Sequence, residues 1–260
     1  MFIDIHSHIL PGLDDGSKNL QMTEAMLSQA SKEGIKEIIA TPHFISKANT
    51  YTKEELKNTY TQVVSLIEKN ELDLKLHLGN ELFFDIDAIR VLESGECLPL
   101  ASSSYVLIEF PFKWRVDIVE SILYNLELSG YKIILAHIER YENFDNPKIL
   151  ASFIEKGCLA QINSSILFDK NKSRVNYMLN LIENNYIHFI ASDCHSDRHR
   201  SPKLKDAYKK VNNLIGERAN DLFYNNAKAI IENKKIEISE PKRFNKIGFW
   251  GGISNWINKR

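Results

Sequence analysis

The stretch FIDIHSH, residues Phe2 to His8, joins a short apolar run to two histidines that are two positions apart. In a β-strand, residues i and i+2 point to the same side of the sheet, so His6 and His8 project together. Two neighbouring imidazoles either share a bound ion or repel each other once both are protonated. Which of the two applies depends on the side chains that the rest of the chain places next to His6 and His8.

Short apolar segments recur after this first strand, Phe2–Ile5, and segments of helical length alternate with them. The further apolar segments are Ile35–Ala40, Leu74–Leu78, Tyr105–Phe110, Lys132–Ala136, Cys158–Ile162 and Ile187–Ala191. The amphipathic segments are Leu20–Glu33, Lys53–Lys69, Val116–Leu128, Asn146–Glu155 and Ser173–Glu183. Buried strands that alternate with helices predict a parallel sheet. Seven strands without a linker favour one closed or nearly closed barrel, with a doubly wound open sheet as the alternative.

The composition is that of an ordinary globular protein, with 260 residues, 43% hydrophobic residues and a net charge of −1. A charge near zero gives no strong field for nucleic acid. Three cysteines are too few for a disulfide framework. The first residues show neither a basic segment nor a long apolar run, so we expect no signal peptide, no membrane insertion and a cytoplasmic location.

We predict one domain over residues 1–241, followed by a basic extension over residues 242–260 that carries Phe249, Trp250 and Trp256. The basic character of the residues after Pro241 marks the boundary. This extension is expected to dock on the domain, with a membrane-surface or partner-binding role as the alternative.

Charged and imidazole side chains follow six of the seven predicted strands. They are His6, His8, Asp14, Asp15, His43, Glu81, Glu109, His137, Arg140, Asp193, His195 and Arg200. Only the sixth strand ends in neutral polar groups alone, in the segment QINSS. Because the carboxyl ends of barrel strands meet at one rim, we expect these side chains to converge. His77, His188 and His199 fall elsewhere and are interpreted as structural or solvated.

Imidazoles and carboxylates without a thiolate cluster suit manganese, iron, zinc or cobalt. Even when only one of the neighbouring Asp14 and Asp15 is counted, nine such groups exceed the roughly four to six ligands of one ion, which indicates two or three ions with bridging carboxylates. Ions about 3.5–4 Å apart hydrolyse phosphate esters in many enzymes. The pattern therefore predicts a metal-dependent phosphoesterase.

The segments DIHSHILPGLDDG, ATPH, GNE, LIEFP, AHIERY and SDCHS occur in this order between Met1 and about Ala207. Together they resemble the PHP (polymerase and histidinol phosphatase) superfamily, and more closely the bacterial metal-dependent protein-tyrosine phosphatases of capsule and exopolysaccharide operons. The resemblance implies a distorted seven-stranded (β/α)7 TIM-like barrel. It also implies three divalent ions, with manganese as the usual metal and iron or zinc as alternatives.

The resemblance also implies a ligand set for each ion. The first ion would bind His6, His8, Glu81 and Asp193; the second would bind Glu81, Glu109 and His137; the third would bind Asp15, His43 and His195. Asp15 is chosen over Asp14 on the family's spacing, because local sequence does not separate them. Arg140 and Arg200 match the family's phosphate-binding arginines, and a guanidinium grips two phosphate oxygens at once.

The implied function is hydrolysis of phosphotyrosine in proteins, by in-line attack of a metal-bridging hydroxide. The implied substrate is the tail of a membrane tyrosine autokinase that controls polysaccharide export. One alternative is a histidinol phosphatase or another small-molecule phosphoesterase of the same superfamily. Another is a non-catalytic metal-binding regulatory module, although such a module has no need for the two arginines.

The segment Cys194 to Ser201 also has the C-x5-R-S outline of a cysteine-dependent tyrosine phosphatase loop. Such loops bind the anion with backbone N–H groups and are usually rich in glycine. This segment lacks glycine and places Asp193 and Asp197 where a phosphate dianion would lie. We therefore expect Cys194 to fill space behind the metal site.

Overall fold

The computed structural model describes residues 1–243, so the predicted extension over 242–260 lies outside the described residues except for its first two. The strands are β1 Phe2–Ser7, β2 Ile35–Ala40, β3 His43–Phe44, β4 Lys75–Leu78, β5 Glu81–Phe83, β6 Tyr105–Glu109, β7 Lys132–Leu135, β8 Leu159–Asn163 and β9 Phe189–Ala191. The α-helices are α1 Leu20–Glu33, α2 Lys53–Lys69, α3 Ala88–Glu93, α4 Val116–Leu128, α5 Pro147–Glu155, α6 Lys172–Glu183, α7 Lys205–Ile215 and α8 Asn226–Ile231.

The strands form a curled parallel sheet in a mixed α/β fold. One part has the order β1-β2-β4, and the other has the order β3-β5-β6-β7-β8-β9. Every strand pair is parallel, as the alternation of strands and helices predicted. A further parallel bridge joins Ser7 to Cys194, which brings the end of β1 beside the segment that follows β9.

Two of the predicted strands continue past an interruption. β2 is followed by the two-residue β3 after Pro42, and β4 is followed by β5 after Gly79. Proline lacks the N–H that a ladder needs. At Gly79 a side chain would lie 2.9 Å from Cα of Leu100, so the close approach requires glycine. The short strands place His43 directly opposite Glu81 in the sheet.

The sheet separates two hydrophobic layers. Alternate strand residues such as Leu107 and Ile134 form an inner cluster with Phe189. Their neighbours in sequence, such as Ile108 and Leu135, pack in an outer cluster with the helices. Because apolar groups cover both sides of the sheet, the ends of the strands are held rigidly. The polar residues that follow the strands are therefore held in fixed positions as well.

Two expectations about the environment of the chain concern cysteines and membrane spans. Cys97, Cys158 and Cys194 are all unpaired, buried thiols, in agreement with the prediction of no disulfide framework. Among the described residues, no helix combines the length and apolarity that crossing a bilayer requires.

Candidate metal centre

The nine predicted metal ligands lie together at the carboxyl ends of the strands. Within each of four overlapping groups, ligand atoms lie within 4.8 Å of one another. The groups are His8, Asp15, His43 and His195; His6, His8 and Asp193; His6, Glu81 and His137; and His43, Glu81 and Glu109. The expected convergence therefore occurs, and shared members join the groups into one cluster.

The deepest part of the cluster is formed by His6, His8, Glu81 and Asp193, all of which are fully buried. The two Nε2 atoms of His6 and His8 are 3.1 Å apart. Glu81 Oε2 lies 3.2 Å from each of these nitrogens, and Asp193 Oδ1 lies 3.5 Å from each. Four potential ligand atoms thus surround one point.

The partners of the opposite ring nitrogens decide what these atoms offer. His6 Nδ1 lies 3.2 Å from the amide oxygen of Gln161, and His8 Nδ1 lies 2.6 Å from Asp14 Oδ2. Both partners only accept hydrogen bonds, so each Nδ1 carries the proton and each Nε2 presents a lone pair. Glu81 Oε2 and Asp193 Oδ1 are buried without a hydrogen-bond partner among the described residues. Converging acceptors without a donor fit a divalent cation.

The raised pKa of His8 also indicates that the neighbouring carboxylates favour a positive charge at this point. Burial alone would lower this pKa, but the nearby carboxylates of Asp14 and Glu81 outweigh it and raise the pKa to about 10. Burial would likewise raise the pKa of Glu81, but His6, His137 and other imidazoles hold it well below its usual range. In the absence of an ion, protons supply the charge that the carboxylates require.

The second part of the cluster extends from Glu81 toward solvent. His137 Nε2 is 2.7 Å from Glu81 Oε1 and 3.5 Å from Glu109 Oε1. His43 Nδ1 is 3.0 Å from Glu81 Oε2 and 3.5 Å from Glu109 Oε2. Burial, followed by the charge of Glu81, raises the pKa of Glu109 to about 7. Two carboxylates held this close favour a cation between them.

The third part separates the roles of the neighbouring residues Asp14 and Asp15. Asp15 Oδ1 lies 3.4 Å from His43 Nε2 and 3.3 Å from His195 Nε2. His195 Nδ1 donates to the carbonyl of Asp193 at 3.0 Å, so its Nε2 is free to bind an ion. Asp14 instead lies behind His8 and accepts the backbone N–H of His43 at 3.0 Å. Asp15 therefore faces the ligand nitrogens, while Asp14 orients an imidazole.

The residue that follows the two aspartates, residue 16, has to be glycine. A side chain at this position would overlap the carbonyl oxygen and Cβ of His8. The backbone N–H of Gly16 also donates to Asp14 Oδ1 at 2.9 Å. The loop can therefore fold against β1, and both aspartates reach the cluster, only when residue 16 lacks a Cβ.

The two predicted phosphate-binding arginines converge on Asp193. Asp193 Oδ2 accepts from Arg140 Nη2 at 2.5 Å, from Arg200 Nη2 at 2.6 Å and from Asn163 Nδ2 at 2.6 Å. Arg140 is partly exposed and Arg200 is exposed. A guanidinium has five N–H groups, so each arginine keeps donors for a phosphoryl oxygen. Asp193 thus turns one oxygen toward the histidines and the other toward these donors.

β8 supplies orienting residues that the sequence analysis missed. Gln161 Oε1 accepts from His6 Nδ1 and from the backbone N–H of His137, the latter at 2.8 Å. Gln161 Nε2 donates to Asn163 Oδ1 at 2.9 Å, and Asn163 in turn holds Asp193. The two amides are two positions apart on one strand face, which is the signal in QIN that could have identified them.

Two of the cluster residues have an unusual backbone. His137 has φ 31° and Asp193 has φ 51°, in the left-handed region that favours glycine. Such conformations cost on the order of 1–3 kcal/mol and persist where the surrounding structure imposes them. Both residues are predicted metal ligands, so the strained backbone lies within the candidate metal centre.

Cys194 lies outside the cluster and is held in the protein interior. Its Sγ is 3.3 Å from Ser7 Oγ, and burial raises the pKa of its thiol to about 12. The N–H groups of His195 and Ser196 donate to the carbonyl of Arg200 at 2.8 and 3.0 Å. They are therefore unable to cradle a phosphate, in agreement with the sequence-based expectation for Cys194.

The three other histidines do not join the cluster. His77 Nε2 lies 2.7 Å from Glu37 Oε2, and His188 Nδ1 accepts the backbone N–H of Ala160 at 3.0 Å. His199 is exposed in the segment after β9. Their positions agree with the expectation of structural or solvated roles.

A curled parallel sheet that gathers histidines, carboxylates and arginines at its strand ends is the arrangement of α/β metal-dependent hydrolases. The family model described as "Capsular polysaccharide synthesis, CpsB/CapC" matches residues 2–232. The chain belongs to this family, and the resemblance noted in the sequence is confirmed.

Known relatives agree with this assignment. The tyrosine-protein phosphatase CpsB of Streptococcus agalactiae serotype III is 33% identical over 245 residues, which cover 90% of this chain and 100% of the relative. One solved chain, from the crystal structures of YwqE from Bacillus subtilis and CpsB from Streptococcus pneumoniae described as metal-dependent tyrosine phosphatases, matches with a TM-score of 0.87 and 31% identity. That match covers 94% of this chain and 100% of the other.

A more distant structure shares the fold alone. It is the histidinol phosphate phosphatase of Lactococcus lactis subsp. lactis, which matches with a TM-score of 0.54 and 14% identity. The match covers 84% of this chain and 93% of the other. The mixed α/β fold with a curled parallel sheet is therefore common to both structures.

Proposed function

We propose that the protein is a metal-dependent phosphatase that removes phosphate from tyrosine residues of other proteins. The observation that carries the proposal is the convergence of unpartnered ligand atoms, Glu81 Oε2 and Asp193 Oδ1, beside two arginines that also contact Asp193. This arrangement couples a cation site to a phosphate-binding site. The activities named for the relatives CpsB and YwqE support the same conclusion.

The ligand chemistry supports three divalent ions, with manganese first and iron or zinc as alternatives. The proposed ligands are His6, His8, Glu81 and Asp193 for one ion; Glu81, Glu109 and His137 for another; and Asp15, His43 and His195 for the third. When bound, such ions lower the pKa of water and neutralise phosphoryl charge. Glu81 is central because its two oxygens approach four imidazoles.

Arg140 and Arg200 bind and orient the phosphoryl group in this proposal. Both guanidiniums are anchored on Asp193 Oδ2, so their direction is set before substrate arrives. Their positive charge stabilises the charge that develops on the equatorial oxygens during in-line displacement. The leaving phenolate has a pKa of about 10, so protonation by a strong acid is less necessary than for an alkoxide.

We further propose that the strands make a distorted seven-stranded barrel of the PHP type over residues 1–241, with residues 242–260 as an extension. In this description β2 with β3, and β4 with β5, each count as one interrupted strand. The bridge between Ser7 and Cys194 supports closure between β1 and β9. The distant match to a histidinol phosphate phosphatase supports the fold.

The accessibility of the cluster supports a phosphate carried by a protein. Asp15 is 65% exposed, and Arg200 is also exposed. Sites for small molecules usually enclose about 70–90% of the ligand surface, so the open edge favours a protein over histidinol phosphate. The proposed substrate is the tyrosine-bearing tail of a membrane kinase, and the three free buried thiols support a cytoplasmic location.

The test is phosphate release from a phosphotyrosine peptide before and after chelator treatment, with Mn²⁺ added back. We expect activity to vanish with the metal, to return with Mn²⁺ and to survive Cys194→Ser. Chelator-resistant activity that is lost in Cys194→Ser would overturn the metal mechanism. Metal-dependent release from histidinol phosphate alone would keep the centre and replace the substrate.

A further inference from the structure

A group of large apolar side chains is exposed at one edge of the metal centre. We call it the apolar rim, and it consists of Ile45, Ile86 and Phe112, which are 39%, 80% and 80% exposed. Each lies in the loop that follows a strand carrying a predicted ligand: β3 carries His43, β5 carries Glu81 and β6 ends at Glu109.

The loops that carry the rim are tied to one another. β3, β5 and β6 are neighbours in the sheet. Ser46 Oγ donates to the carboxylate of Asp85, and Lys47 Nζ lies 2.9 Å from Asp87 Oδ2, so the loop with Ile45 lies against the loop with Ile86. These contacts fix both loops beside the ligands.

The loop with Phe112 is joined to the loop with Ile86 in a similar way. The backbone N–H of Phe84 donates to the carbonyl of Glu109 at 2.8 Å. The rings of Phe84 and Phe110 pack with their centroids 5.2 Å apart. Buried aromatic packing therefore supports the base of the loop, while Phe112 remains in solvent.

Arg140 lies beside the part of the centre from which the loop with Phe112 leaves, because its Nη1 is 3.6 Å from Glu109 Oε1. The rim follows β3, β5 and β6, whereas Arg140 follows β7 and Arg200 follows β9. The partly exposed predicted ligands His43 and Glu109 lie two residues before Ile45 and three residues before Phe112. A phosphoryl group held by Arg140 therefore lies next to the loop that carries Phe112.

Single exposed apolar residues are common, but several at the mouth of one polar site indicate a binding surface. We propose that the apolar rim binds the phenyl ring of phosphotyrosine and the apolar residues next to it in the substrate chain, and so selects aromatic phosphates. This inference rests on the proposed function. Phe112 would meet the ring edge-to-face, while the two isoleucines would cover its neighbours.

The test compares the double variant Ile86→Ala, Phe112→Ala with the Mn²⁺-loaded wild-type enzyme on a phosphotyrosine peptide. We expect kcat/KM to fall about tenfold, mainly through KM, because an aromatic contact of this kind contributes about a factor of ten. The inhibition constant of inorganic phosphate, which lacks a ring, should stay within about twofold. Phe112→Leu should restore most of the affinity that Phe112→Ala loses.

Leu128→Ala is the matched control, because Leu128 is 68% exposed at the end of α4, remote from the strand ends. It should leave all these constants unchanged. An unchanged kcat/KM in the double variant would overturn the rim proposal alone. A smaller particle mass of the double variant than of the wild type in light scattering, with KM unchanged, would assign the rim to contacts between copies and also overturn it. A wild-type enzyme inactive on phosphotyrosine would overturn both the rim and the proposed function.

Discussion

Gln161 fixes the imidazole of His6 and the backbone of His137, although it is neutral and lies behind the cluster. Its amide oxygen accepts from His6 Nδ1 and from the backbone N–H of His137. The hydrogen bond from His6 Nδ1 keeps the lone pair of His6 Nε2 directed at Glu81 and Asp193. Residues that orient ligands in this way commonly alter metal affinity or activity by about 10–100-fold when they are replaced.

We therefore expect Gln161→Leu to lower Mn²⁺ affinity by about 10–100-fold, because His6 loses the acceptor that fixes its tautomer. The leucine is close in size, so the fold should persist with a cost of about 1–3 kcal/mol for the unpaired His137 N–H. Metal titration followed by calorimetry measures the affinity.

Gln62→Leu, an exposed change on α2, serves as the control for Gln161→Leu. It should leave the metal affinity unaltered. Equal affinities in Gln161→Leu and wild-type protein would show that the amide has no orienting role.

The predictability of the cluster differed from residue to residue. His6, His43, Glu81 and Asp193 could be predicted because charged groups at the ends of apolar strands are costly without a function. Gln161 could not, because a neutral amide in a buried strand is equally well explained by ordinary hydrogen bonding. The orienting roles depend on which side chain lies behind which ring, and local sequence does not contain that information.

At the level of elements, the best predictions came from strong end signals. α2 has the predicted bounds because Thr52 and Glu55 form a capping box at its first turn. β3 and β5 were not predicted as strands, because two or three residues are too few for a periodic pattern. α7 was also not predicted, and it begins after Leu204 without a side-chain cap.

The loop between β1 and α1 depends on glycine at position 16. We expect Gly16→Ala to lower kcat by about 100-fold, because a methyl group would push the loop from His8 and displace Asp14 and Asp15 by about 1 Å. Phosphotyrosine hydrolysis at saturating Mn²⁺ measures the effect.

Gly12→Ala in the same loop is the comparison for Gly16→Ala. Gly12 has φ 73° but has no atom within 4 Å of an added side chain, so the change costs only backbone strain of about 1 kcal/mol. Its activity should stay close to that of the wild type. A larger loss of activity in Gly12→Ala than in Gly16→Ala would contradict the steric explanation.

At the level of the whole molecule, His188 makes the folded state sensitive to acid. Burial lowers the pKa of His188 to about 4, against about 6.5 in an unfolded chain. Above pH 6.5 both states are neutral and His188 adds no pH dependence. Between pH 6.5 and about 4 the unfolded chain binds a proton that the folded protein excludes, so stability falls as the pH falls.

We expect His188→Asn to weaken this dependence. Asn can still accept the N–H of Ala160, but it does not titrate. Between pH 7 and pH 5, the metal-free wild type should lose about 2 kcal/mol more free energy of unfolding than the variant, since one pKa unit is about 1.4 kcal/mol. Urea denaturation at both pH values measures the difference.

The exposed His199 gives the control, because His199→Asn should follow the wild type at every pH. Parallel curves for His188→Asn and wild-type protein would mean that His188 is protonated as easily in the folded state as in the unfolded chain.

The bridge between Ser7 and Cys194 has a consequence for the order of events during synthesis. These two residues are 187 positions apart, so His6 and His8 are made long before Asp193 and His195. A growing chain that stops short of Asp193 carries the two imidazoles without the carboxylate opposite them. Contacts of such long range form late, because the intervening chain must first be ordered. The candidate metal centre is therefore complete only at the last stage of synthesis, after nearly the entire sheet has been translated.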